Sequence, residues 1–175
     1  IFEIGSSALR AALPHYQPFN GSIDEVLIYN KSLTSAEVEE LYKAGLSQHA
    51  NVNITLETRT ATSYNTTDPT LVAHWALNGD ATDELGQHDG TNNGGVFAEG
   101  NGIVDKGGYF TTGDYIRVDD SDPLDFDDEN FTISLWAKHI TVATHSYILS
   151  KGTTFDNDRM NYVVRMPETN GISRP

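Results

Sequence analysis

The 175-residue chain has no cysteine, only 6 prolines, 2 methionines and 2 tryptophans, and 11 Lys plus Arg against 25 Asp plus Glu. Without cysteine there is no disulfide framework, no thiolate metal site and no cysteine nucleophile, although such a chain remains compatible with an oxidising compartment. The shortage of basic residues leaves a net charge of −14 at pH 7. Displacing counterions from phosphate requires a cationic surface, so nucleic acid is not an expected partner. No run approaches the about 18 apolar residues that span a bilayer, and membrane insertion is not expected. No charged-then-apolar leader opens the sequence. Carboxylates, imidazoles and hydroxyls are left to carry any chemistry, and the length suits about one domain.

Hydrophobic periodicity is mostly two. Leu71, Ala73, Trp75 and Leu77 form one apolar face, and Phe131, Ile133 and Leu135 form another, the pattern of half-buried strands. Further β-rich runs lie at 21–29, 109–112, 115–118, 147–150 and 161–166, each bounded by Gly, Asn or Asp, and many short strands at this spacing predict an all-β antiparallel sandwich. One short helix is predicted near residues 35–44. Thr34 is its N-cap with Glu37 at N3, Leu33 and Val38 are placed to staple the cap, and Gly45 ends it. Residues 46–70, rich in Asn, Thr and Ser, read as a linker with at most one strand near 52–56. The acidic run from Asp114 to Glu129 reads either as a solvated loop or as a divalent-cation site.

Two stretches carry a resemblance. Phe19-Asn20-Gly21-Ser22-Ile23-Asp24-Glu25-Val26-Leu27-Ile28-Tyr29-Asn30-Lys31-Ser32-Leu33, with the helix that follows, resembles the closing segment of laminin G-like jelly rolls of the concanavalin A-like lectin/glucanase superfamily. The run from Leu71 to Asp83, then His88-Asp89-Gly90-Thr91, Phe131 to Lys138 and Ile148 to Gly152, is similar to the opening half of the same domain. The order is inverted, as in a window across two tandem copies. The resemblance therefore implies residues 1–45 as the C-terminal part of one domain, 46–70 as a linker, and 71–175 as the N-terminal part of a second. The family's W-x-H-V-A strand and L-Y-V-N-G strand pair have no counterpart here, so an incomplete or permuted sandwich with exposed edges is expected.

The resemblance also implies a calcium site made by the closing-strand aspartate with opening-loop acids and backbone carbonyls. Asp24, Asp80 and Asp83 match those positions, and calcium accepts six to eight hard oxygens in irregular geometry. The family's S-G-N-G-x-x-G-T run is replaced by Glu84 to Thr91, shorter and more acidic. The other reading of Asp24 and Asp83 is that they accept backbone N–H bonds in turns. Asp125-Phe126-Asp127-Asp128-Glu129 is a D-x-D-x-E array like the paired carboxylates of glucanases. It precedes a strand in a polar turn, however, and no catalytic residue is assigned. The histidines show no metal-ligand spacing and read as surface or satisfied polar residues. Trp136, Tyr115 and Tyr147 suit either stacking on sugar rings or core packing.

The expected function is that of a non-catalytic binding or adhesion module from a larger secreted or cell-surface protein. Its expected partners are a glycan or an extracellular protein, with calcium in support, and neighbouring repeats of the same chain. The alternatives are a structural spacer in a tandem-repeat adhesin and an ancillary domain of a carbohydrate-active enzyme.

Overall fold

Short runs that alternate apolar and polar residues can bury only one face each, and here they do so by packing two sheets against one another. The structure, a computed structural model, describes residues 1–6, 19–49, 64–126, 129–140, 146–152 and 160–166. Its elements in chain order are β1 (Phe2–Ile4), β2 (Gly21–Tyr29), α1 (Ser35–His49), β3 (Leu71–Trp75), β4 (Gly90–Asn93), β5 (Val96–Glu99), β6 (Lys106–Phe110), β7 (Tyr115–Val118), β8 (Thr132–His139), β9 (Ser146–Gly152) and β10 (Met160–Met166), with a 3-10 turn at Asp122–Leu124. Among the described residues one sheet has the order β10-β9-β1-β7-β4. The other has β3, β2, β6 and β5, with β8 on the free side of β2. All pairings are antiparallel. The chain is an all-β sandwich.

The first 45 residues supply the middle strand of each sheet. β1 lies between β7 and β9. β2 pairs β8 along one edge, while β6 takes its first half and β3 its second half along the other. Ile23, Val26 and Ile28 of β2 then enter a core with Phe2, Ile4, Ala73, Trp75, Leu77, Phe110, Ile116 and Leu149. Phe2 stacks on Trp75 at 5.1 Å between ring centroids, and the indole N–H donates to the His88 carbonyl at 2.8 Å. The opposite face of β2 carries Leu27 and Tyr29 into a second cluster with Ala44, Tyr64 and Leu71, against which Leu33 and Leu41 pack. Leu71 thus parts from Ala73, Trp75 and Leu77, because the ladder shifts register between Ile28 and Tyr29. β4 and β5 escape the periodicity altogether. Gly90-Thr91-Asn92-Asn93 has no apolar alternation and forms a sheet edge.

The helix cap forms as the sequence predicts. Thr34 N–H donates to Glu37 Oε2 at 2.7 Å, and Glu37 N–H donates back to Thr34 Oγ1 at 3.3 Å. The stop does not form, and α1 runs through Gly45 to His49. Gly45 is a packing residue, since a Cβ there would stand 2.7 Å from Trp136 Nε1 and 2.9 Å from two further indole atoms. Tyr42, one turn earlier, stacks on the same indole at 5.4 Å. Residues 50–63, including the strand expected near 52–56, lie outside the described residues.

The acidic run is not a loop throughout. Tyr115–Val118 is β7, and Asp120 and Asp125 both pair with Lys151, whose side chain is 2% exposed. Asp127 and Asp128 lie outside the described residues.

Gly45→Ala tests the indole contact. Helix propensity alone favours alanine by about 1 kcal/mol, but forcing a methyl group into the ring costs about 1–3 kcal/mol. The expected result is a lower melting temperature, which the companion change Trp136→Leu relieves.

Candidate functional site

β2 carries two consecutive acids that a regular strand would send to opposite faces. The β2–β8 ladder shifts between Asp24 and Leu27, and Glu25 adopts φ 49°. This bulge lets both acids lie away from the main core while Val26 enters it. Asp24 and Glu25 are each 2% exposed.

Glu25 meets His74 of β3. Nε2 of His74 lies 2.6 Å from Glu25 Oε2, and both side chains are buried. The Tyr64 ring stands edge-on to the imidazole at 5.3 Å. The sequence marks His74 only as the polar residue of an apolar strand. Its partner is 49 positions away and becomes visible only through the β2–β3 register.

Asp24 turns to another segment. Its Oδ2 accepts the N–H of Ile103 at 2.7 Å and of Val104 at 3.0 Å, which ties the loop before β6 to β2. Its Oδ1 is buried and has no hydrogen-bond partner within the protein. Burial pushes the carboxyl up to about 7; the Val104 N–H works against this rise and the neighbouring Glu25 adds to it. A proton held near neutral pH belongs on Oδ1, because Oδ2 is occupied as an acceptor.

Asp24 is the floor of a cleft of about 230 Å³ lined also by Ser22, Asn101, Ile103, Trp136 and Lys138. The register puts Ser22 opposite Lys138 and Asp24 opposite Trp136, so strand pairing assembles an indole, an exposed ammonium and a buried carboxyl. Among these residues the sequence had singled out Asp24 and Trp136. Ser22, Asn101 and Lys138 carry no local signal, since only cross-strand pairing and the Asp24 loop contact bring them there.

The other two aspartates do different work. Asp83 Oδ1 accepts the N–H of His74 at 2.9 Å and of Leu85 at 3.2 Å, and its Oδ2 accepts those of Gln87 and His88 at 3.1 Å each. It is the knot of the β3–β4 loop. Asp80 is exposed and closes a turn onto Thr82, whose N–H and hydroxyl donate to Oδ1 at 2.9 and 2.6 Å. Those bonds hold its carboxyl below the usual range. Of these three, Asp83 has both oxygens on backbone N–H donors, Asp80 has its Oδ1 on Thr82, and Asp24 keeps a buried Oδ1 without a hydrogen-bond partner; among the described residues no group of three or more His, Asp or Glu is gathered as metal ligands are.

The expected stacking aromatics also separate. Tyr147 is buried, Tyr115 lies under the Arg117 guanidinium at 5.6 Å, and Trp136 alone lines the cleft. Compared with protein-family models, curated proteins and solved structures, the chain matches none.

Two outcomes follow from the buried acids. The folded state holds a proton on Asp24 between about pH 4 and 7 where the unfolded chain does not, so this group's stabilisation is full below pH 4 and is lost as pH rises through 7. Melting temperature measured from pH 5 to 8 should fall more steeply in the wild type than in Asp24→Asn, whose amide supplies both the acceptor and the donor. His74→Leu leaves Glu25 buried without its partner and should cost about 3–5 kcal/mol in urea unfolding; adding Glu25→Leu should recover much of that loss.

Proposed function

We propose that this chain is a non-catalytic binding module of the laminin G-like, concanavalin A-like jelly-roll type, from a secreted or cell-surface protein, and that its ligand is a glycan. The observation that carries the reading is the cleft over Asp24. An aromatic plane, a cation at the rim and a buried carboxyl with one oxygen without a partner are the groups that grip a neutral polyhydroxyl ring, through stacking and charge-assisted hydrogen bonds. Small pockets with a few convergent polar groups are where ligands bind. Among the described residues no helix is long and apolar enough to cross a membrane.

The placement of residues 1–45 between strands from residues 71–166 supports a permuted domain assembled from parts of two neighbouring repeats. That same interleaving favours a second reading, in which the chain is a spacer of a tandem-repeat adhesin and the array itself is the function. Calcium enters the proposal through Asp24 alone. Ser22 and Asn101, which line the same cleft, carry the other side-chain oxygens there.

A glycan array followed by titration of the best binder decides between the readings. Lys138→Ala should weaken a ligand seated in the cleft by about tenfold, the effect of one charge-assisted hydrogen bond, without changing the melting temperature. A blank array leaves the spacer reading. Millimolar calcium should raise the melting temperature of the wild type but not of Asp24→Asn, and an unchanged wild type removes the ion from the proposal.

A further inference from the structure

The two flanks of the sandwich are finished differently. At one, β4 and β5 are four residues each and follow one another through Gly94-Gly95, with the Asn92 amide donating to the Gly95 carbonyl at 2.7 Å. Short edges of this kind protect a sheet from association. At the other flank the edges are β8, of 8 residues, and β10, of 7 residues, and among the described residues each has a neighbour on one side only. They end at the same flank, since Phe131, just before β8, lies 5.2 Å from the Tyr162 ring of β10. Neither strand contains Pro, Asp or Glu. Their core-facing residues Ile133, Leu135, Tyr162, Val164 and Met166 are only partly buried, and Val163 is 37% exposed.

We propose that this flank is a homodimer seam, in which β8 pairs antiparallel with β8 of a second copy about a two-fold axis normal to the sheets. One such axis continues both sheets at once, because the partner's β8 and β10 arrive together. The occupant is a second copy because the edge is self-complementary. An antiparallel two-fold must centre on a residue, so that side chains of the same face meet. Centred on Leu135, it sets Leu135 against the partner's Leu135 and Ile133 against the partner's Ala137 on the inner face. On the outer face Trp136 meets the partner's Ser134 and Lys138 meets the partner's Thr132. No like charges stand opposite. Centring on Trp136 instead would set Ile133 against the partner's His139 and bring together two indoles, each already stacked on one side by its own Tyr42. In a chain of net charge −14, strands without acids are also where a second copy approaches with least repulsion. The seam should therefore tighten as salt screens the rest of the surface.

The test uses sedimentation equilibrium of the whole chain with disulfide trapping. The wild type should shift from monomer to dimer with rising concentration, at lower concentration in 0.5 M than in 0.05 M salt. Because the chain has no cysteine, Leu135→Cys introduces a single thiol that the seam places about 5 Å, Cβ to Cβ, from its copy. Mild oxidation should convert most of this variant to a covalent dimer while Val96→Cys, 56% exposed on the opposite flank before substitution, stays monomeric. A wild type that remains monomeric to millimolar concentration overturns the seam, as does equal trapping of the two variants. If Leu135→Cys fails to fold, the wild-type sedimentation and its salt response decide alone.

Discussion

The sandwich depends on β2 being buried on both faces and paired along both edges. Its nine residues are all buried, and its two edges join β8 to β3 and β6. A strand in that position satisfies its backbone groups only when the segments on either side are in place, and those segments come from the distant 71–139 region. β1 plays the same part in the other sheet. Residues 1–45 by themselves would expose two central strands, and residues 71–166 by themselves would leave each sheet split. Stability therefore belongs to the union of the two segments.

The polar chemistry follows from the same strand. A bulge at Glu25 sets two acids side by side away from the main core, and each finds a different answer to burial. Glu25 takes His74 as its partner. Asp24 takes two loop N–H groups on one oxygen and buries the other without a hydrogen-bond partner, and burial pushes its carboxyl up to about 7. A buried acid in this state is poised between proton, cation and hydrogen-bonding ligand, which is why the candidate site centres on it. Asp83, equally well placed along the sequence, is spent on folding its own loop.

Much of the fold was legible in the sequence. Period-two apolar faces located β3 and β8, and β-rich runs bounded by Gly, Asn or Asp located β2, β7, β9 and β10. The Thr34 cap was legible because capping is a contact across three residues. The polar edge strand β4 was not, because an edge that faces solvent needs no apolar pattern. Gly45 misled for a related reason. A glycine after a helical run commonly marks an αL stop, but here the indole of Trp136, 91 positions away, requires a residue without a Cβ.

The sequence by itself determined the elements whose causes are local: alternation, capping, and the exclusion of thiol chemistry and of a cationic surface. The tertiary structure alone decided which carboxylates meet which partners. Asp24, Asp80 and Asp83 are alike as short acidic side chains, yet Asp80 closes a local turn onto Thr82, Asp83 gathers mainly the N–H groups of its own loop, and Asp24 is reached by Ile103 and Val104 from about 80 positions away. That last contact, like the meeting of Glu25 with His74, exists only once strands from distant parts of the chain are paired.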